Sequence, residues 1–93
     1  EIMHEASLTA GLVRKAIAVA AARGGGRIAR LNVRLGALSH FSPDHFRDHF
    51  VIAAQGTIAE GAELQLSTSD DIASPHAQEV LLQEIVVEPS DPE

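Results

Sequence analysis

Apolar residues recur along this chain with two different periods, and the changes of period mark five segments. In residues 7–23, Leu8, Leu12, Ala16 and Val19 form one stripe at helical spacing, widened by Val13, Ile17 and Ala20. The pattern predicts a helix capped by Ser7 and stopped by Gly24-Gly25-Gly26, with Arg23 suited to its negative C-terminal end. Phosphate-binding glycines open helices, whereas these follow one, so they read as a turn. Residues 27–35 then alternate. Leu31, Val33 and Leu35 share one face with Arg27 and Ala29, and Arg30, Asn32 and Arg34 take the other. That is a strand with one buried and one wet face.

After a connector over residues 36–41, Ser42-Pro43-Asp44 announces a second helix: a cap, a proline at the first helical position and an acid in the first turn. It runs to about Ala54, with Phe46, Phe50 and Ala53 or Ala54 as its core stripe, and Gly56 ends it. Residues 62–68 alternate again, with Leu64 and Leu66 inward. A polar loop follows, then a last strand over residues 79–88. There Val80 and Leu82 share a phase that Ile85 and Val87 invert, which predicts a bulge near Gln83-Glu84. Residues 90–93 read as a frayed tail. Strand–helix–strand implies a right-handed crossover joining two parallel strands. The expected architecture is α+β: a three-stranded mixed sheet with two helices packed on one face, in the order helix-strand-helix-strand-strand.

Ninety-three residues make one domain, able to bury about 60–65% of its unfolded surface. No stretch of about 18 apolar residues occurs, so no membrane span is expected, and no basic-then-apolar secretory signal is evident. The chain has no cysteine, which excludes disulfides and cysteine-ligated zinc and fits a cytoplasmic setting. It also lacks Trp and Tyr, so it has no aromatic platform for single-stranded nucleic acid beyond phenylalanine. Charge is lopsided: residues 1–47 carry seven positive and three negative charges, residues 48–93 none positive and ten negative. The net −6 argues against non-specific nucleic-acid binding. The asymmetry is expected to be absorbed inside the fold, with Glu63 and Glu84 or Glu88 meeting Arg30 and Arg34 across the open sheet face. A surface with a basic and an acidic end, orienting a partner, is the other reading.

The candidate chemistry is Met3-His4-Glu5, placed directly before the first helix. When a histidine is second in a protein, the terminal amine, the histidine amide nitrogen and its imidazole can close around one cation. Flat sites of nitrogen and oxygen donors select nickel(II) or copper(II), and Glu5 adds a carboxylate. Glu1-Ile2 precede Met3; with them present the amine of Met3 is a peptide nitrogen and this chelate cannot close. His45 and His49 stand four apart on one helical face, but they flank Phe46 and Phe50 and read as the shoulder of the core stripe. His40 sits in the connector as an accessory candidate, and His76 in the polar loop reads as surface. No nucleophile elbow, phosphate loop or Cys/His pair occurs.

Three stretches resemble the HypA/HybF family of hydrogenase-maturation nickel metallochaperones. They are Met3-His4-Glu5-Ala6-Ser7-Leu8, Leu35-Gly36-Ala37-Leu38-Ser39 with the helix bearing Phe46 and Phe50, and Gly56-Thr57-Ile58-Ala59-Glu60-Gly61-Ala62-Glu63-Leu64. Residues 79–88 resemble the family's closing strand. The resemblance implies a carrier rather than an enzyme. It implies nickel(II) on His4 and Glu5 with the amine of Met3 as initiator, Glu1-Ile2 then being a cloning remnant or an upstream extension. It implies a HypB-type GTPase and the hydrogenase large-subunit precursor as partners. The family's zinc lobe, with two Cys-x-x-Cys pairs, falls where this chain has only residues 70–78, so no zinc is expected. Two further readings stand beside it: a non-metal adaptor docking a maturation partner, and a KH-like nucleic-acid binder, which lacks the GxxG loop and basic surface that role needs.

Overall fold

The computed structural model describes residues 2–88, with side chains from Ala6 onward. The tail expected over residues 90–93 lies outside the described residues. The elements are α1 (Ile2–Ala22), β1 (Ile28–Leu35), α2 (Pro43–Ala54), β2 (Glu63–Thr68) and β3 (Val80–Val87). The sheet order is β2-β1-β3, with β1 parallel to β2 and antiparallel to β3. The class, the mixed sheet and the element order are those predicted from periodicity.

Register builds the core in rows across the sheet. Leu31 stands between Leu64 and Ile85, Val33 between Leu66 and Leu82, and Leu35 between Thr68 and Val80. Val13, Ala16 and Ala20 of α1 and Phe46, Phe50 and Ala54 of α2 close over this face. Phe46 is fully buried and meets Phe41 edge-on, with ring centroids 5.3 Å apart, the arrangement that ring quadrupoles favour. The opposite face carries Arg30, Asn32 and Arg34, flanked by Glu63, Gln65 and Ser67 and by Val86, Glu84 and Leu81. The predicted bulge is present: Asn32 pairs with Glu84 but Val33 with Leu82, leaving Gln83 as the extra residue.

Four expectations are corrected. First, α1 starts at Ile2, so Ser7 lies inside the helix rather than capping it; none of Met3, His4, Glu5 and Ala6 opposes helix, so the helix propagates through them. Second, Leu8 is 44% exposed and Thr9 is buried in the first part of the stripe, while Val13, Ala16 and Ala20 are buried as expected and Leu12, Ile17 and Val19 pack against the core. Third, a second bulge lies in β1, where Ile28 pairs with Val87 and Arg30 with Val86. Ala29 is the extra residue, so Ile28 is buried and Arg27 exposed. Fourth, the Arg–Glu contacts across the open face do not form among the described residues. Glu84 accepts from Asn32 Nδ2 at 2.6 Å, because the Gln83 bulge brings it level with Asn32, and Glu63 accepts from Gln65 Nε2 at 3.1 Å.

The arginines instead grip backbone carbonyls of the acidic half. Arg23 Nη1 donates to Ile85 O at 3.0 Å, Arg27 Nη2 to Glu60 O at 2.6 Å and Arg47 Nη1 to Leu64 O at 3.1 Å. A guanidinium donates five hydrogens in a fixed fork and serves this role as well as ion pairing.

Both helices start at the same end of the domain. Ser7, Leu8 and Gly11 of α1 border Gln78, Glu79 and Val80 at the start of β3. Past its other end, Gly26 N donates to Glu88 O at 2.9 Å. The helix terminates in a Schellman turn: Gly24, at φ 68°, donates to Ala21 O and Gly25 to Ala20 O. α2 follows the connector from Leu35 and ends with Ala54 facing Ala62 and Leu64 near the start of β2. The connector and the β2–β3 loop lock together at the shared end. Gly36 N donates to Glu79 O at 2.9 Å and Leu38 N to Ala77 O at 2.6 Å. A Cβ at residue 36 would collide with the carbonyl oxygens of Ala77 and His76, so the approach needs glycine.

Candidate metal centre

The end where both helices begin gathers histidines from four separate segments. α1 contributes position 4 in its first turn, the connector contributes His40, α2 contributes His45, and the β2–β3 loop contributes His76. The side chains of Met3, His4 and Glu5 lie outside the described ones, but their backbone belongs to α1. The expectation that they directly precede a helix is therefore corrected: they form its first turn. In that turn the helical N–H groups have no intrahelical acceptor. The amide nitrogen of residue 4 is thus not held by the helix ladder, which an amide-nitrogen chelate requires.

Helix starts carry partial positive charge, and two of them point to this end. Carboxylates there offset that field: Asp44 in the first turn of α2, and Asp70, Asp71 and Glu79 in or beside the loop. The α2 start is well formed. Ser42 accepts from His45 N at 3.1 Å through its hydroxyl, with Pro43 next in the chain. His45 is exposed, His49 half-buried, and Phe46 and Phe50 between and beyond them are buried. His40 is exposed and adopts φ 66°, a left-handed conformation uncommon outside glycine.

His76 has a partner that the sequence reading did not find. Its Nδ1 lies 3.0 Å from Glu79 Oε1, on the chain segment docked against Gly36 and Leu38. The missed signal was the His-x-x-Glu spacing in a loop rich in turns. Among the described residues, no three His, Asp or Glu side chains converge closely enough to hold a metal ion. The side chains of Met3, His4 and Glu5 stand outside that statement.

Residues 3–77 match the family described as hydrogenase/urease nickel incorporation, metallochaperone, hypA. The hydrogenase maturation factor HypA of Chlorobium limicola is 42% identical over 64 residues, covering 69% of this chain and 55% of that protein. Its counterpart in Chloroflexus aurantiacus is 44% identical over 62 residues, covering 67% and 54%. The chain thus spans somewhat over half the length of the curated relatives it matches. The solution structure of the nickel metallochaperone HypA from Helicobacter pylori superposes with a TM-score of 0.80 at 13% identity, covering 92% of this chain and 98% of that one. At that identity the likeness establishes the fold.

Proposed function

The chain belongs to the HypA family, and from that premise we propose that it binds nickel(II) and delivers it during hydrogenase maturation. The observation that carries this reading is the match of residues 3–77, a span that includes Met3-His4-Glu5, to a family described by nickel incorporation. The donors are the imidazole of His4, the carboxylate of Glu5 and a backbone or terminal nitrogen at Met3 or His4. Imidazole and amide nitrogen suit nickel(II) over hard cations. The positive ends of two helices oppose a bound cation, while the neighbouring carboxylates favour it. Such a balance suits a carrier, which must release its cargo. Nickel is cargo here, and no catalytic step is assigned.

We place the chain as one domain, residues 1–93, in which residues 70–78 stand where the family's zinc lobe would be inserted, so that no zinc is expected. The proposed partners are a HypB-type GTPase and the precursor of the hydrogenase large subunit, in the cytoplasm. No helix among the described residues is long and apolar enough to cross a membrane. The test is nickel titration of His4→Ala beside its parent chain, both beginning at Met3, with circular dichroism as a control for the fold. Loss of binding with an unchanged spectrum supports the assignment. Unaltered affinity removes it, and an inability of the parent chain itself to bind nickel would favour the adaptor reading.

A further inference from the structure

The sheet face turned away from the helices is covered at one end. Where β1 runs out, the β2–β3 loop and Arg34 bound a cavity of about 170 Å³. Its polar lining is Arg34 on β1, Ser69 just past β2, and Ser74 and His76 in the loop, with Gly36 and Ala77 bringing backbone to it. Arg34 differs from the arginines that hold the fold together. Arg23, Arg27 and Arg47 each donate to a backbone carbonyl. Arg34, half-buried between Ser67 and Leu81, has no hydrogen-bond or ion-pair partner among the described residues. A guanidinium carries five N–H donors and cannot give up its charge, so this one is left with unused donors at the cavity wall.

The other polar groups are donors as well. Ser69 Oγ already accepts from Asp71 N at 3.1 Å, and Ser74 Oγ from His76 N at 3.0 Å. Each hydroxyl therefore has its own hydrogen to give. His76 Nδ1 lies 3.0 Å from Glu79 Oε1, and the protonated ring has a second N–H beyond the one that bond uses. Among the described residues lining the cavity there is no carboxylate; Glu79 lines the cleft beside α1. The frame is fixed by backbone. Ser69 N donates to Leu35 O at 3.0 Å, Ala77 N to Ser74 O at 3.1 Å and Gly36 N to Glu79 O at 2.9 Å. The volume is below the roughly 300–1,000 Å³ of sites for drug-sized ligands, so the cavity takes one small group.

We propose that this cavity is an oxyanion site that takes a phosphate group, clamped by Arg34 and held by Ser69, Ser74 and His76. A planar fork meets phosphate oxygens two at a time, in charge-assisted bonds stronger than those between neutral groups. Phosphate is favoured over a carboxylate because the donors come from three separate segments, and a tetrahedral ion offers oxygens in more directions than a planar one. The site is independent of the nickel reading. Because its walls belong to β1, the end of β2 and the loop, a bound phosphate braces the loop against the sheet.

The experiment is titration of the full 93-residue chain with inorganic phosphate, phenyl phosphate and acetate at constant ionic strength, followed by the NMR signals of the Arg34 side chain, the His76 ring and the backbone amides. The expected result is saturable shifts with phosphate at Arg34, Ser69, Ser74 and His76, and much weaker ones with acetate. Arg34→Gln, which touches no bond of the fold, should weaken phosphate binding about tenfold or more. Arg34→Lys, which keeps the charge and loses the fork, should fall between the two. Tighter binding of phenyl phosphate, with added shifts at Asn32 and Leu81, would support the site and mark its source as a phosphorylated molecule; tighter binding of inorganic phosphate would support it as a site for the free ion. Shifts that never saturate, or parent-like affinity in Arg34→Gln, overturn the proposal. Acetate binding as tightly as phosphate overturns the choice of anion, and an Arg34→Lys chain equal to the parent overturns the clamp.

Discussion

Replacing Gly36 with alanine tests how the loop is held. The new methyl would collide with the backbone carbonyl oxygens of Ala77 and His76, and backbone cannot move aside as a flexible side chain can. The φ of Gly36 is not positive, so the cost arises from the contact and not from the local conformation. Relief requires the loop to lift from the connector. That forfeits the bonds from Gly36 N to Glu79 O and from Leu38 N to Ala77 O, at about 1 kcal/mol each. It also exposes the buried methyl of Ala77, at about 0.8 kcal/mol. The sum is about 2–3 kcal/mol. A 93-residue domain has roughly 5–14 kcal/mol of stability to draw on, so the variant stays folded with a melting temperature lowered by about 10–20 °C. Scanning calorimetry reads the shift, and hydrogen exchange locates it. The amides of Gly36 and Leu38 should lose protection while those of Leu31 and Val33 keep theirs. An unchanged melting temperature with full protection at residues 36 and 38 would refute the docking geometry.

The remaining predictions address the core, the cap and the charge pattern. Phe46→Ala removes a fully buried ring from beneath the sheet and from its edge contact with Phe41; a loss of about 3–5 kcal/mol is expected in urea unfolding. Ser42→Ala removes the hydroxyl that accepts from His45 N and should cost about 1 kcal/mol, whereas Ser42→Gly should cost only a few tenths. Equal stability of the two variants would show that the cap is idle. Because the basic half grips carbonyls rather than carboxylates, the Arg23→Met penalty should be nearly the same in low and in molar salt. A penalty that vanishes in salt would mean that an ion pair had been holding Arg23.

Periodicity carried the architecture because burial is decided residue by residue. The phase inversion between Leu82 and Ile85 is visible in the sequence, and it marks the bulge at Gln83. The bulge at Ala29 was masked because Leu31, Val33 and Leu35 keep phase after it, and Ile28 alone breaks it. In α1 the stripe through Val13, Ala16 and Ala20 was legible, but Leu8 was counted into it, while packing buried Thr9 instead. Hydrophobicity ranks leucine above threonine, but the face a position occupies decides whether it is buried. The fate of the arginines was not legible, since their acceptors are carbonyls and every residue has one. The His76–Glu79 pair needed the turn around Ser74 and Ala77, where Ala77 N donates to Ser74 O, to bring the two side chains together. Met3, His4 and Glu5 were found by the order of their side chains alone, and their place in the first turn of α1 came only with the structure.

The central claim is that nickel is held at the start of α1. The most direct measurement is nickel(II) calorimetry on two versions of the chain, one beginning at Met3 and one retaining Glu1-Ile2. The account expects the Met3 version to bind one nickel and to bind it more tightly, because only there can a terminal amine close the chelate with the amide and imidazole of His4. Equal binding by both versions that survives His4→Ala would contradict it and move the metal to His40, His45, His49 or His76.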